Sequence, residues 1–307
     1  MSCKNCVEKP VIKLTNNNLQ LCKQHFIRYF EKKVLNTITN YKLIDKNDKI
    51  AVALSGGKDS LTVLNILNML KIKTRKFEIE AIAIDEGIQG YRDKTLETAK
   101  KFCEENKIKL NIFSYKEEFG NTLDNFLKKN AMKACSMCGP FRRYLLNKKS
   151  KELGFNKLVT GHNLDDESQT IMMNYFRRNL ETSARLGPIT GVLKDKRFVR
   201  RIKPLYLMTE KETATYAFLK GLISEFNECP HSTDSYRGHV RDMLNNFEAK
   251  YPGTKHSIIT SFLEILPLLR ENYKNFIPIN NCKICDEPCS QEICQTCKIV
   301  EILKKQI

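Results

Sequence analysis

One hexapeptide limits what this chain can fold into: Ser55-Gly56-Gly57-Lys58-Asp59-Ser60. An apolar run, Lys49 to Leu54, precedes it and reads as a buried strand. Asp59 to Lys71 follows and reads as a helix, with Leu61, Leu64, Ile66, Leu67 and Leu70 supplying apolar faces. A glycine-rich turn between strand and helix exposes backbone N–H groups at a helix N-terminus, where phosphate binds readily. The same alternation continues. Ile79 to Ile84, Leu110 to Ser114 and Lys157 to Thr160 read as strands, and Tyr91 to Lys107 and Asp165 to Arg178 as helices. Strands alternating with helices predict an α/β fold with a doubly wound parallel sheet. Ligands of such sheets bind beyond the C-terminal strand ends. The loops after Leu54 and after Thr160 both lie there.

The last third reads as helical, over Glu210 to Gly221, His239 to Lys250 and Thr254 to Arg270. No apolar stretch reaches the roughly 18–20 residues that span a bilayer, and the N-terminus carries no apolar signal region. A cytoplasmic protein without a membrane partner is the expectation. The net charge of +17, from 52 Lys and Arg against 35 Asp and Glu, favours a polyanionic partner. Arg177-Arg178 and the stretch Lys194 to Lys203, interrupted by Phe198, suit an RNA backbone. A solvated charged face explains the same residues.

The chain has 12 cysteines. Clustered Cys-x-x-Cys pairs in a cytosolic chain point to metal or redox chemistry. Cys3, Cys6, Cys22 and His25 have the spacing of a tetrahedral zinc site. Cys282, Cys285, Cys294 and Cys297 repeat the pattern as a second zinc ribbon, and Cys289 between those pairs has no metal role. Cys103 stands alone and reads as a buried thiol. The expected domains are an N-terminal zinc ribbon over 1–30, a catalytic domain over 31–205, a helical continuation over 206–278 and a C-terminal zinc ribbon over 279–307.

Cys135 and Cys138 form a further pair, and Cys229 lies in Cys229-Pro230-His231. The residues leave four readings open. Three thiolates can hold an iron–sulfur cluster with one open position. Cys229 can carry a persulfide that Cys135 or Cys138 resolves. With His231 they can form a third zinc site, or they are inert.

Ser55 to Ser60 is not a Walker loop, because Asp59 follows Lys58 where Ser or Thr is required. It resembles the PP-loop of the N-type ATP pyrophosphatases, which cleave ATP between the α- and β-phosphates. Ser55, Gly56, Gly57, Lys58, Asp59 and Ser60 are then expected to bind ATP, with Asp59 helping to hold Mg2+. Ile84 to Ile88 and Gly161 to Glu167 match the same superfamily. Ile84 is expected at the adenine and ribose, and Gly161 and Asp166 at the nucleotide and its metal. Asp165 and Asp166 can both cap the following helix, and the resemblance favours Asp166 as functional.

All these features in this order, together with the three cysteines and both ribbons, resemble the TtuA/NcsA group of tRNA 2-thiolation enzymes over nearly the whole chain. The resemblance implies a [4Fe-4S] cluster on Cys135, Cys138 and Cys229, two Zn2+ in the ribbons, and homodimers. It also implies a basic catalytic residue shortly after the cysteine pair. Arg142 or Arg143 can serve, as a charge stabiliser rather than a base, because a guanidinium stays protonated. The implied reaction adenylates a tRNA uridine and exchanges its 2-oxygen for sulfur from sulfide or a sulfur-carrier protein, with Lys58, Asp59, Arg142 and Asp166 catalytic. Position 34 is the leading target. Position 54, persulfide-based thiolation of another base, lysidine formation and a non-catalytic zinc-ribbon RNA-binding protein are alternatives.

Overall fold

The computed structural model describes residues 2–128, 132–192, 197–223, 229–231, 235–274 and 279–304. In chain order, the hairpin β1 (Ile12–Lys13) and β2 (Gln20–Leu21) leads into α1 (Lys23–Asn40). Then come β3 (Lys49–Ala53), α2 (Lys58–Thr74), β4 (Glu78–Asp85), α3 (Arg92–Glu105) and β5 (Leu110–Ser114). The short helices α4 (Tyr115–Phe119) and α5 (Leu123–Lys128) precede the long α6 (Ala134–Glu152). After it lie β6 (Lys157–Val159), α7 (Leu164–Phe176), α8 (Leu180–Ala184) and β7 (Arg200–Ile202). Helices α9 (Glu210–Leu219), α10 (Tyr236–Lys250) and α11 (Thr254–Tyr273) follow. The chain closes with β8 (Asn280–Asn281), β9 (Pro288–Cys289) and α12 (Gln295–Lys304).

The central sheet is parallel throughout, in the order β5-β4-β3-β6-β7. From β3 the chain winds outward through β4 to β5, then returns to β6 on the other side. The winding reverses between β3 and β6, and such a switch point opens a crevice for ligand. Both flanking strands are buried on two faces, as a covered parallel sheet requires: Ile50, Ala51, Val52, Leu158 and Val159 are at 0% exposure.

Alternate residues of β3 serve different cores. Ile50 and Val52 join a core that includes α1, α2 and the N-terminal ribbon residues Cys3, Leu14 and Cys22. Ala51 joins the opposite core, with Phe141 and Leu145 of α6 and Ile299 and Leu303 of α12. Each terminal ribbon therefore docks on its own face of the sheet. The expected domain boundary at residue 30 falls inside α1.

Among the elements absent from the sequence reading, two bear on the site. Arg200 to Ile202, read there as part of an RNA-contact stretch, forms the edge strand β7, paired in parallel with β6. Edge strands accept charged residues because one side stays in water. Within the same stretch, Arg197 docks the C-terminal ribbon, donating to Asn281 Oδ1 at 2.7 Å and Ile279 O at 2.8 Å. Lys203 is buried against Glu167 at 2.8 Å. Lys194 to Lys196 lie outside the described residues. The second addition is α6, which carries Cys135 and Cys138 in its first turns and contains Pro140.

Candidate active-site cleft

The hexapeptide follows β3 and opens α2, with Gly57 as its N-cap. Gly56 has φ +82°, and a Cβ there would lie 1.9 Å from Thr95 O of α3. Its glycine is therefore required by the protein's own packing, before any ligand is considered. The loop ties itself together. Ser55 and Ser60 hydroxyls lie 3.0 Å apart, and Ser60 Oγ donates to Gly57 O at 3.0 Å. Arg92 Nη1 holds the loop from outside by donating to Ser55 O at 2.8 Å.

The loop after β6 meets this one backbone to backbone. A Cβ on Gly161 would sit 2.9 Å from Asp59 C and 3.0 Å from Ser60 N. Asn163 caps α7 in a reciprocal box with Asp166, and Asn163 Nδ2 donates to Asp59 Oδ1 at 3.1 Å. The two neighbouring aspartates part here. Asp165 is buried, accepts from Glu210 N at 2.7 Å and pairs with Lys255. Asp166 faces the cleft, as does Asp59. Burial raises both carboxyl pKa values, and the charge of Asp166 raises that of Asp59 further. A bound cation would reverse this repulsion, so the pair suits Mg2+. Lys58 reaches Asp59 at 3.1 Å and Glu210 at 2.9 Å. Gly56, Gly57 and Lys58 are not among the cleft-lining residues; Ser55, Asp59, Ser60, Ile84, Gly161, Asp166 and Arg142 are.

The cleft measures about 440 Å³ and runs past both loops to α6. Cys135 and Cys138, three residues apart, share one helical face. Cys135 is exposed, Cys138 buried and Cys229 half-buried. The raised thiol pKa of Cys229 comes first from burial, then from the nearby Cys138 and Cys135, so the three thiols are electrostatic neighbours. They are spread more widely than the terminal quartets, since among the described residues only those quartets bring three or more ligand atoms within 4.8 Å. Cys135, Cys138, Cys229 and His231 are not gathered into a compact ligand group as the terminal quartets are, so the structure does not assemble a third tetrahedral zinc site from them. Three separated thiols suit an iron–sulfur cluster, where each thiolate takes its own iron.

Arg142, one turn after Cys138, places Nη2 3.8 Å from its Sγ. Its other arm lies 3.8 Å from Glu86 Oε1. Glu86 is itself buried and paired with Arg92 at 3.0 Å. A chain of charges thus joins the Ser55 carbonyl, through Arg92, Glu86 and Arg142, to the Cys138 sulfur. Opposite, His162 accepts or donates at Thr160 Oγ1, 2.8 Å away. The surrounding protein, then Lys203, pushes its imidazole down to about 4, so the ring is neutral.

The terminal quartets have the dimensions of zinc sites. Zn–S bonds of about 2.3 Å in a tetrahedron place sulfurs about 3.8 Å apart, and sulfur about 3.6 Å from a histidine nitrogen. Cys6 and Cys22 sulfurs lie 3.7 Å apart, and His25 Nδ1 is 3.5, 3.5 and 3.2 Å from Cys3, Cys6 and Cys22. At the other end Cys285 and Cys294 sulfurs are 3.7 Å apart. Backbone N–H groups of Cys294 and Cys297 point at the Cys282 and Cys294 sulfurs, as thiolate sites favour. Cys289 stays outside and donates to Gln291 O at 2.8 Å.

The PP-loop domain family matches residues 24–247. The tRNA 2-thiolation protein NcsA of Haloferax volcanii is 35% identical, covering 99% of each chain. The tRNA-5-methyluridine(54) 2-sulfurtransferase of Pyrococcus horikoshii is 38% identical, covering 100% of this chain and 96% of its own. The chain belongs to the NcsA/TtuA family of PP-loop tRNA 2-thiolation enzymes. Among solved structures, the U34-tRNA thiolase NcsA from Methanococcus maripaludis, described with its [4Fe-4S] cluster, superposes with a TM-score of 0.84. It is 35% identical and covers 99% of this chain and 96% of its own.

Within this NcsA/TtuA-family cleft, Glu86 and Arg92 have no role in the sequence reading, Arg143 appears there only as an alternative to Arg142, and Arg201 only as part of the RNA-contact stretch. Glu86 has a legible signal, an acidic residue directly after a strand, at the end where these sheets bind ligand. Arg92 gives none, because the loop carbonyl it holds, that of Ser55, lies 37 residues earlier in the chain. Among the described residues of this family member, no helix is long and apolar enough to cross a membrane.

Proposed function

We propose that this chain thiolates a tRNA uridine at C2, using ATP to activate the 2-oxygen, with the wobble uridine 34 as target. The observation that carries the reading is a single cleft joining the nucleotide loop to the cysteine helix. Activation and sulfur delivery can therefore act on one base without its release.

In this reading the N–H groups at the start of α2, with Ser55 and Ser60, hold the ATP phosphates. Ile82 and Ile84 flank the adenine. Asp59 and Asp166 hold Mg2+, and Lys58 exchanges Glu210 for a phosphate oxygen. The uridine 2-oxygen bonds to the α-phosphorus as pyrophosphate leaves; sulfur then adds to C2 and AMP departs with the oxygen. Arg142 offsets negative charge as it develops between these groups. Cys135, Cys138 and Cys229 would hold a [4Fe-4S] cluster, which supplies an iron coordination position open to a sulfur donor. Cys138 is kept in place by Tyr115, whose hydroxyl donates to its carbonyl at 2.9 Å. Zinc in the two quartets fixes the ribbons to the sheet. The sulfur source is sulfide or a carrier protein, the working form is a homodimer, and the setting is cytoplasmic, as the name of a Dictyostelium discoideum relative states for that protein.

The test is an anaerobic incubation with unmodified tRNA, ATP, Mg2+ and sulfide, followed by mass spectrometry of the digested tRNA. The expected product is 2-thiouridine at position 34. Product at position 54 would support the alternative target, which the Pyrococcus relative modifies. ATP consumption without any thiolated base would reject the reading.

A further inference from the structure

Two cleft-lining guanidiniums have no assigned task. Arg143 follows Arg142 on α6, and Arg201 comes from the edge strand β7; both line the cleft. No carboxylate among the described residues pairs with either. Arg201 instead donates to the Arg143 carbonyl at 3.3 Å. The other cleft cations are engaged: Arg92 and Arg142 by Glu86, and Lys203 by Glu167. Burial, then the neighbouring Arg143, pushes Arg201 down to about 10. The surrounding protein atoms, then the charge of Arg142, likewise lower Arg143, although its side chain reaches solvent. Guanidiniums gathered without an acid destabilise one another until an anion arrives. A guanidinium presents paired donors suited to phosphate oxygens.

The position of the pair indicates which anion. The nucleotide loop follows β3, and the apolar Ile82 and Ile84 lie on β4, on one side of it. Strand β7 lies on the other side, two strand spacings from β3, roughly 10 Å. ATP reaching from β3 toward β4 extends away from Arg201. The β7 end of the cleft is left for the second substrate. Gly139 contributes to the shape there. A Cβ on it would lie 3.2 Å from Arg143 Nη1, so the guanidinium folds back over the turn that carries Cys138.

We propose that Arg143 and Arg201 together seat one backbone phosphate of the RNA substrate next to the target uridine. This rests on the tRNA reading above. A phosphate held there fixes the register of the RNA, while the base enters the cleft between the nucleotide loop and the thiols.

The test measures tRNA affinity over a range of salt concentrations, and ATP affinity separately, for the cluster-loaded protein and for R143Q, R201Q and the double variant. Each single variant is expected to weaken tRNA binding about tenfold and to flatten the salt slope by about 0.7, the increment for one single-strand phosphate. The double variant should flatten it no further, because both residues grip one phosphate. R201K should keep most of the slope. ATP affinity should stay within about twofold, since the pair lies beyond the nucleotide. Loss of ATP affinity would overturn the proposal by placing the nucleotide phosphates on the pair. An unchanged slope in folded R143Q, whose side chain is exposed, would overturn it as well. Binding is read without turnover. If the unaltered protein makes no thiouridine but the slopes still fall, the thiolation reading fails and the phosphate seat stands.

Discussion

The terminal quartets and the three thiols Cys135, Cys138 and Cys229 set the same residue type in two contrasting arrangements. Each quartet gathers four ligand atoms within 4.8 Å. Cys3, Cys22 and Cys282 are each at most 4% exposed, and Cys3 and Cys22 belong to the core beneath the sheet. Nothing about such a site leaves a coordination position for a substrate. Cys135, Cys138 and Cys229 come from two distant segments, stay more widely spread than the quartets, and leave Cys135 exposed. A closed ligand set stabilises a fold, and an open one serves chemistry. The same residue type is sorted into the two roles by burial and by how many partners converge.

The largest effects should separate the two kinds of site. Cys229→Ala should lower thiolation by more than about 100-fold, beyond what loss of an outer-shell partner costs a metal site. Its melting temperature should hold, since Cys229 is half-buried. Thiouridine formation and iron content check this; activity that survives with iron lost would break the contrast. Cys22→Ser should do the reverse. It removes a ligand 1% exposed in the main core, so about 4 kcal/mol or more of stability should go, with one zinc equivalent. Denaturant melts with metal analysis read it. Turnover per folded molecule should remain.

A similar division shows in what the amino-acid sequence makes legible. Four of the five central strands read directly from short apolar runs, because a covered parallel sheet demands them. Strand β7 does not, since two of its three residues are arginines. Both quartets read from spacing, because their ligands are local in the chain. The cleft reads only in pieces. Ser55 to Ser60 and Gly161 to Asp166 announce themselves as loops, yet the reason for their glycines is tertiary: Gly56 meets Thr95 and Gly161 meets Asp59. The link from Ser55 through Arg92 and Glu86 to Arg142 joins three separate segments, and no periodicity encodes it.

The aspartate pair of α7 carries the contrast into a single turn. Asp165→Asn leaves the buried Lys255 ammonium without its charge partner, which should cost about 3 kcal/mol. Asp166→Asn should alter stability by less than about 1 kcal/mol and instead raise the Mg2+ needed for half-maximal turnover. Melts and magnesium titrations of the two variants, run together, decide it. An Asp166 variant that unfolds while its neighbour loses magnesium would exchange their roles.

The smallest expected effect is the sharpest check on the closed sites. Cys289 lies between the two cysteine pairs of the C-terminal quartet in sequence, so a loosely formed site would have a fifth thiol within reach. In the structure its sulfur turns to the Gln291 carbonyl at 2.8 Å, while Cys282, Cys285, Cys294 and Cys297 complete the set. Serine can keep that hydrogen bond through its hydroxyl. Cys289→Ser should therefore retain both zinc equivalents and shift the melting temperature by no more than about 2 °C. Loss of one zinc on this substitution would mean that the fifth thiol exchanges into the site. The C-terminal quartet would then be open chemistry after all, and the contrast with the cleft would hold only for the N-terminal one.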